Sequence, residues 1–191
     1  FFGLADAVFP RSWIEDAEFR AWGGELTSSR DWCAAVLHGR SVVVFGGYDG
    51  NFVASNTTDG LDLDAGATER ITAGPTMATA RSGCAAVRLD ARRVLVVGGH
   101  GNLGFYDTTE ILDLETMHFS AGPTMLSKRC LYAAVALDAG RVLVAGGGDE
   151  NNAFHRTTEI LDVATMTFVP GPEMLSGRRG CSAVALKNPR R

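Results

Sequence analysis

The chain has 191 residues and a slightly acidic balance, with 22 aspartates and glutamates against 18 lysines and arginines, for a formal net charge of −4. A nucleic-acid-binding surface needs clustered basic residues, so this balance argues against a nucleic-acid partner. An uninterrupted apolar stretch of about 18 residues, which a membrane-crossing helix requires, is absent from the sequence, so no membrane partner is expected. Residues 1–9 are apolar but contain Asp6 and lack a basic flank, which makes them a poor signal peptide. The expected location is cytoplasmic.

Near-copies of one short segment recur along the chain at intervals of about 50 residues. Each copy begins with an arginine and continues into small apolar residues that end in a valine. The four copies span residues 30–36, 81–87, 129–135 and 178–184. A repeat of this length is one supersecondary unit used several times, and such units bury their faces against their neighbours. The repeat therefore predicts a modular fold rather than an enzyme with one unique active site.

Further landmarks recur in the same order within each unit. A short apolar run ends in a glycine pair, a Thr-Thr segment with a following acid comes next, and a Gly-Pro-x-Met segment closes the unit. The glycine pairs are Gly46-Gly47, Gly98-Gly99 and Gly146-Gly147. Because no helix follows them to supply an N-terminal dipole, we interpret the pairs as strand-end packing devices rather than phosphate-binding loops.

The second unit shows the predicted strands most clearly. Residues 84–89 are small and apolar, and residues 93–97 are mostly β-branched. A third strand is predicted near residues 108–114, and a fourth over 117–121, where a Gly-Pro pair ends it. No segment has helical periodicity over a dozen residues. Four antiparallel strands per unit, with small residues innermost, are typical of a propeller blade.

These landmarks resemble the kelch-repeat family, whose repeats have about 50 residues. The resemblance extends over roughly residues 23–186. The tyrosine and tryptophan of the family's pattern are replaced here by Leu112 and Phe119 in one unit, and by Leu161 and Phe168 in the next. Leucine and phenylalanine are apolar, as the packing of a blade requires at these positions. The resemblance implies an all-β, kelch-type β-propeller with four-stranded antiparallel blades.

The repeat boundaries are predicted at the segments that close each unit. Residues 27–77, 78–125 and 126–174 would be three kelch repeats. Residues 1–26 would be the C-terminal part of a preceding blade, and residues 175–191 the first strand of a further blade. Because the resemblance implies six or seven blades, we expect an incomplete propeller, a fragment of a longer one. The alternative is a closed four-bladed ring, in which the last strand joins the N-terminal segment.

The loops after the glycine pairs differ most between units and supply the first set of binding candidates, because variable loops on a rigid scaffold commonly carry function. These candidates are Tyr48, Asn51, His100, Asn102, Asp149, Asn152 and His155. The resemblance places the blade-to-blade loops on the same face, where repeated arginines could grip carboxylates. This adds Arg30, Arg81, Arg129 and Arg178. Because the position repeats so faithfully, the favoured interpretation is that each arginine bonds to carbonyls or acids within its own blade.

No catalytic residue, metal site or cofactor is predicted. The four cysteines fall in different units and lack a C-x-x-C spacing, so we interpret them as small core residues with free thiols. Of the four histidines, only His100 and His155 fall in the candidate loops, and they belong to different blades. The predicted function is a non-catalytic platform that binds another protein. The alternative is part of a kelch-class enzyme, an oxidase or a sugar-processing enzyme, whose catalytic residues lie mostly outside this chain.

Overall fold

The computed structural model describes residues 25–63 and 71–186. These residues form three four-stranded antiparallel sheets, each a blade, and one small hairpin, with no helix among them. The all-β class and the four-stranded antiparallel blades are thus confirmed. Blade 1 contains β1 (Ala34–His38), β2 (Ser41–Phe45), β3 (Thr58–Asp62) and β4 (Ile71–Ala73). Blade 2 contains β5 (Ala85–Arg88), β6 (Arg93–Val97), β9 (Thr109–Asp113) and β10 (His118–Ala121), with the hairpin β7 (His100–Gly101) and β8 (Gly104–Phe105). Blade 3 contains β11 (Ala133–Asp138), β12 (Arg141–Ala145), β13 (Thr158–Asp162) and β14 (Thr167–Pro170).

The predicted strands agree closely with the observed ones in the second unit. The strand predicted at 93–97 is β6, which is flanked by β5 and β9 as expected for a central strand. The predictions for 84–89 and 108–114 run one residue too far at each end. Leu89 and Leu114 lie in turns, where their N–H groups donate to the carbonyls of Arg93 and Arg92 at 2.9 and 2.8 Å.

Residues 175–191 are expected to hold the first strand of a further blade, and their described part, up to residue 186, shows no strand pairing. A strand needs a hydrogen-bonded neighbour, and the described residues supply none beside this segment. It is held instead at Gly180, whose N–H donates to the Leu131 carbonyl at 2.7 Å. The predictions for residues 1–24 and 187–191 lie outside the described residues.

The hydrophobic core lies between the blades. Alternate residues of β6 face opposite sides, because side chains alternate across a strand. Val94 and Val96 pack in the cluster shared with blade 1, while Leu95 and Val97 pack in the cluster shared with blade 3. A blade buried on both faces explains why its central strand reads as a continuous apolar run rather than an alternating one.

The residues that depart from the kelch pattern are part of this core. Leu112 and Leu161 are fully buried, and Phe168 is 4% exposed. Met77 and Met125, from the segments that close the units, are also buried in the two clusters. These apolar replacements therefore keep the packing that the resemblance implies.

The glycine pairs lie at close contacts between neighbouring blades. In blade 2, a Cβ on Gly98 would lie 2.9 Å from the carbonyl oxygen of Arg129 in blade 3. Gly99 has a φ of +98°, and its Cβ would lie 2.7 Å from the carbonyl oxygen of Ser82 in its own blade. The Gly99 N–H also donates to the Arg129 carbonyl at 3.0 Å. The pair therefore joins two blades through the backbone, as a packing device does.

Aspartates that end the third strands order the turns after them. The Oδ1 atom of Asp113 accepts the N–H groups of Glu115 and Thr116, both at 2.9 Å, and Arg92 Nε donates to its Oδ2 atom at 2.7 Å. The bond from the Thr116 N–H and the bond from Arg92 hold the pKa of Asp113 at about 2, below the ordinary value of 3.8. Asp162 ends β13 in the same way, and turn N–H bonds, from Thr165 first, also lower its pKa.

Acid is expected to weaken the fold through Asp113. Its pKa in the folded state lies below the ordinary value of 3.8, so its stabilisation is present above about pH 4 and is lost as the pH falls towards 2. Asp113→Asn keeps the turn acceptor but removes this charge. Between about pH 5 and pH 3, its urea midpoint should fall less than that of the unmodified protein. Equal falls in both proteins would contradict this linkage.

Candidate functional site

The variable loops and the blade-to-blade loops open on one face of the molecule. Because the strands of a blade alternate in direction, the start of each first strand and the end of each second strand lie at the same edge. Isolated bridges join the two sets of loops there, pairing Asp31 with Tyr48 and Ser82 with His100. We call this surface the loop face; it comprises residues 29–33, 48–54, 80–84, 100–107, 128–132, 148–156 and 177–180. The opposite face carries the tight turns at 38–41, 89–93 and 138–141.

A line of backbone hydrogen bonds crosses the blades on the loop face. The Gly83 N–H donates to the Trp32 carbonyl at 2.8 Å, and the Leu131 N–H donates to the Gly83 carbonyl at 2.9 Å. The Gly180 N–H continues the line to Leu131. All four residues have left-handed backbones, with φ of 54° at Trp32 and 55° at Leu131. This conformation costs a non-glycine residue about 1–2 kcal/mol, and retained strain of this kind concentrates at ligand sites.

Five aromatic rings from two blades meet on this face. Tyr48 contacts Trp32 at 5.9 Å, Phe52 at 6.3 Å and His100 at 6.2 Å between ring centroids. His100 contacts Phe105 at 4.8 Å. The Tyr48 hydroxyl also hydrogen-bonds to His100 Nδ1 at 2.5 Å, which joins the loops of blades 1 and 2. We call these five residues the aromatic cluster.

Much of the aromatic cluster is open to solvent although its rings are held in place. Trp32 is 49% exposed and Phe52 is 78% exposed. Val53, beside Phe52, and Leu103, on the loop that carries His100, are also exposed. Fixed apolar side chains that remain uncovered together on one face mark an interaction site more often than a chance surface.

The loop of blade 3 is ordered by its own charged contacts. Asp149 Oδ1 accepts the N–H groups of Asn151 at 2.9 Å and Ala153 at 3.1 Å, and its Oδ2 lies 3.4 Å from His155 Nε2. The Arg179 guanidinium lies 5.4 Å from the centre of the Phe154 ring. Asp149 thus shapes the loop that presents the other candidates.

The predicted loop candidates take two kinds of position. Asn51, Asn102 and Asn152 are exposed at the loop tips. Tyr48, His100, Asp149 and His155 are half-buried and held by the contacts described above. The structure brings Tyr48 and His100 together from neighbouring blades, and the third loop forms a separate group of contacts.

The repeated arginines bind within their own blades. Arg81 Nη1 donates to the carbonyls of Gly98 at 2.8 Å and Thr108 at 2.9 Å, and Nη2 lies 3.0 Å from Glu110 Oε1. Glu110 in turn accepts the backbone N–H groups of Ala78 at 2.7 Å and Thr79 at 3.0 Å. Arginine and glutamate therefore tie the blade-to-blade loop to the second and third strands.

The same arrangement corrects the expectation that these arginines reach a ligand. Arg30 pairs with Asp59 at 2.9 Å and Arg129 with Glu159 at 2.7 Å, and the side chains of Arg30, Arg81 and Arg129 are all 0% exposed. Buried guanidinium groups with partners inside the blade offer no surface to a partner protein, so the within-blade interpretation describes them. Arg178 differs, because it is exposed and donates to Ser176 Oγ at 3.1 Å.

Trp32, Phe52 and Phe105 are the cluster members that the sequence analysis did not single out. A signal for Trp32 was available, because the equivalent position is glycine in two other units, Gly83 and Gly180. A large aromatic residue at a position that is glycine in other repeats strains the backbone. Strain that is retained in this way suggests that the side chain has a function.

The described residues place no group of three or more histidine, cysteine, aspartate or glutamate side chains where it could hold a metal ion. Burial raises the pKa of the Cys84 thiol to about 12 and that of Cys130 to about 11, which keeps both thiols protonated and unreactive. Over 25–63 and 71–186 there is also no helix of the length and hydrophobicity needed to cross a membrane.

Blades, glycine pairs and closing segments together define a kelch-type propeller domain, a class that generally mediates protein–protein interactions. The chain belongs to the kelch-repeat family: it matches the KLHDC2/KLHL20/DRC7 Kelch-repeats domain over residues 15–189. It is also 36% identical over 97 residues to Acyl-CoA-binding domain-containing protein 5 of Arabidopsis thaliana. That alignment covers 51% of this chain and 15% of the relative.

Proposed function

We propose that this kelch domain is a non-catalytic platform that binds another protein through its loop face. The observation that carries the proposal is the aromatic cluster. Its rings come from two blades and are fixed by mutual contacts and by the Tyr48–His100 hydrogen bond, and two of them, Trp32 and Phe52 of blade 1, are exposed. Tryptophan and tyrosine are enriched among the residues that dominate binding energy at protein interfaces. Rings that are already ordered lose little further freedom on binding, which favours affinity.

The loop tips add adaptable polar groups around these anchors. Asn51, Asn102 and Asn152 are exposed on the three successive loops, and interfaces commonly surround buried aromatic anchors with a polar rim. Buried ion pairs and the glycine contacts between blades stabilise the blades beneath the loops, so the loop face lies on a rigid support. Variable loops on an invariant scaffold suit recognition of one particular partner.

Alanine replacement on both faces tests the proposal. The protein is used to capture a partner from extracts of its source, and the affinity of that partner is measured for Trp32→Ala, Tyr48→Ala and Phe52→Ala. Replacing a residue that anchors the interface by alanine should weaken binding by about 2 kcal/mol, which raises Kd about 30-fold. Leu137→Ala and Arg141→Ala, at exposed positions on the opposite face, are the controls and should leave Kd unchanged.

The urea midpoint of each variant separates lost binding from lost folding. Losses of affinity confined to Leu137 and Arg141, with the aromatic variants folded and fully binding, would refute the assignment of the face.

A further inference from the structure

We propose that the aromatic cluster binds a basic segment of the partner protein, with an arginine or lysine side chain seated over its rings between flanking carboxylates. This inference rests on the proposed function and names the chemistry of the partner. It follows from the ring exposure, the charges around the cluster, and the contrast with the loop of blade 3.

The ring geometry leaves aromatic surface available to a cation. Tyr48 meets Trp32 at an interplanar angle of 57° and Phe52 at 64°. Rings inclined in this way do not cover one another's faces as stacked rings would, in keeping with the 49% exposure of Trp32 and the 78% exposure of Phe52. An arginine or lysine within about 6 Å of such a face is attracted by the ring quadrupole, most strongly for tryptophan.

Acidic residues border the cluster. Asp31 is exposed and its backbone pairs with that of Tyr48 through two hydrogen bonds of 2.8 and 2.7 Å. Asp49 follows Tyr48 directly, and its Oδ1 atom accepts the N–H groups of Asn51 and Val53. The loop segments 29–33, 48–54 and 100–107 contain no lysine, and their one arginine, Arg30, is buried against Asp59. The charges beside the cluster therefore complement a basic partner and would repel an acidic one.

Blade 3 differs from the aromatic cluster in the contacts made by the described residues. There the chain itself places a guanidinium over an exposed ring, with Arg179 lying over Phe154. The residues at the position of Arg179 in the preceding units are Ser82 and Cys130, which bring no charge to the loops of blades 1 and 2. Within the described residues, the exposed ring of blade 3 has a cation of its own, and the cluster is left for the cation of a partner.

Selection of phage-displayed random short peptides on the intact protein tests the inference. Enriched peptides should carry arginine or lysine more often than the unselected library. Their affinity should fall about tenfold for Trp32→Ala and for Asp49→Asn. Replacing the basic residue of the peptide by glutamine should weaken binding to a similar extent.

Asp162→Asn is the matched control. Asp162 accepts two turn N–H groups with its Oδ1 atom, as Asp49 does, but it lies opposite Arg141, beside the turn on the other face. Asparagine keeps an acceptor oxygen, so both variants preserve the turn. The inference expects Asp162→Asn to bind the peptides unchanged. An equal loss in both variants would overturn it, because the effect would then come from the turn or from overall charge.

The outcomes separate this inference from the proposed function. One contrary outcome is a set of peptides that need Trp32 but show no excess of basic residues; another is no enrichment above empty support. Either would refute a basic partner segment and leave the loop face as the proposed binding surface. Peptides whose binding is insensitive to every loop-face variant and sensitive to Leu137→Ala would overturn both.

Discussion

Replacing Arg129 by methionine is expected to lower the free energy of unfolding by about 3–5 kcal/mol, the usual cost of removing one partner from a buried ion pair. The change leaves the Glu159 carboxylate, whose side chain is 2% exposed, without its counter-charge. It also removes the donor to the Gly146 carbonyl, which Nη1 reaches at 2.8 Å. Equilibrium denaturation in urea measures the loss.

Arg141→Met is the matched control. Arg141 pairs with Asp138 at 2.6 Å, but the two side chains are 58% and 44% exposed, and solvent screens exposed pairs so that they contribute little. A second replacement, Glu159→Gln in the Arg129→Met protein, should recover part of the loss, because it removes the uncompensated charge. Equal, small losses for Arg129→Met and Arg141→Met would show that the buried arginines do not hold the blades together.

Gly99→Ala is expected to destabilise the protein more than Gly104→Ala by at least about 1–3 kcal/mol. Both glycines lie in blade 2 and have nearly the same backbone, with φ of +98° and +102°. A Cβ at Gly99 would lie 2.7 Å from the Ser82 carbonyl oxygen and 3.0 Å from the Cys84 Cβ, whereas a Cβ at Gly104 would meet nothing within 4 Å. Backbone strain is therefore common to the two variants, and the close approach is confined to Gly99.

Comparing the two variants separates the effect of backbone strain from the effect of the close contact at Gly99. Urea midpoints that fall equally in both would mean that positive φ alone explains the glycine at position 99, and that its contact with Ser82 and Cys84 tolerates a methyl group.

The repeat made the blades predictable because each landmark carries its own physical constraint. Apolar runs such as 93–97 predict strands buried on both faces, and the structure places Val94 and Leu95 in different interblade clusters. The glycine pairs were predictable as strand-end devices, although their position against the next blade required the structure. The first strand expected within residues 175–191 stays a prediction, because a strand needs a hydrogen-bonded neighbour and no described strand lies beside this segment.

The candidate site was only partly predictable. Loop variability indicated Tyr48 and His100, but not that they meet across two blades. The arginines were ambiguous, since a repeated guanidinium can bind outward or inward, and the choice depends on Glu110 and Glu159 on the third strands. Glycine at the equivalent position of two other units marks Trp32 as unusual, but its contact with Tyr48 follows from the backbone conformation, which sequence spacing does not give.

Hydrogen–deuterium exchange of the protein with and without its captured partner tests the loop face most directly. Amides buried or ordered by a partner exchange more slowly, so the measurement locates the interface without mutation. The account predicts that protection on binding will concentrate in residues 29–33, 48–54 and 100–107. Protection confined to the turns at 38–41, 89–93 and 138–141, with the aromatic loops unchanged, would contradict it.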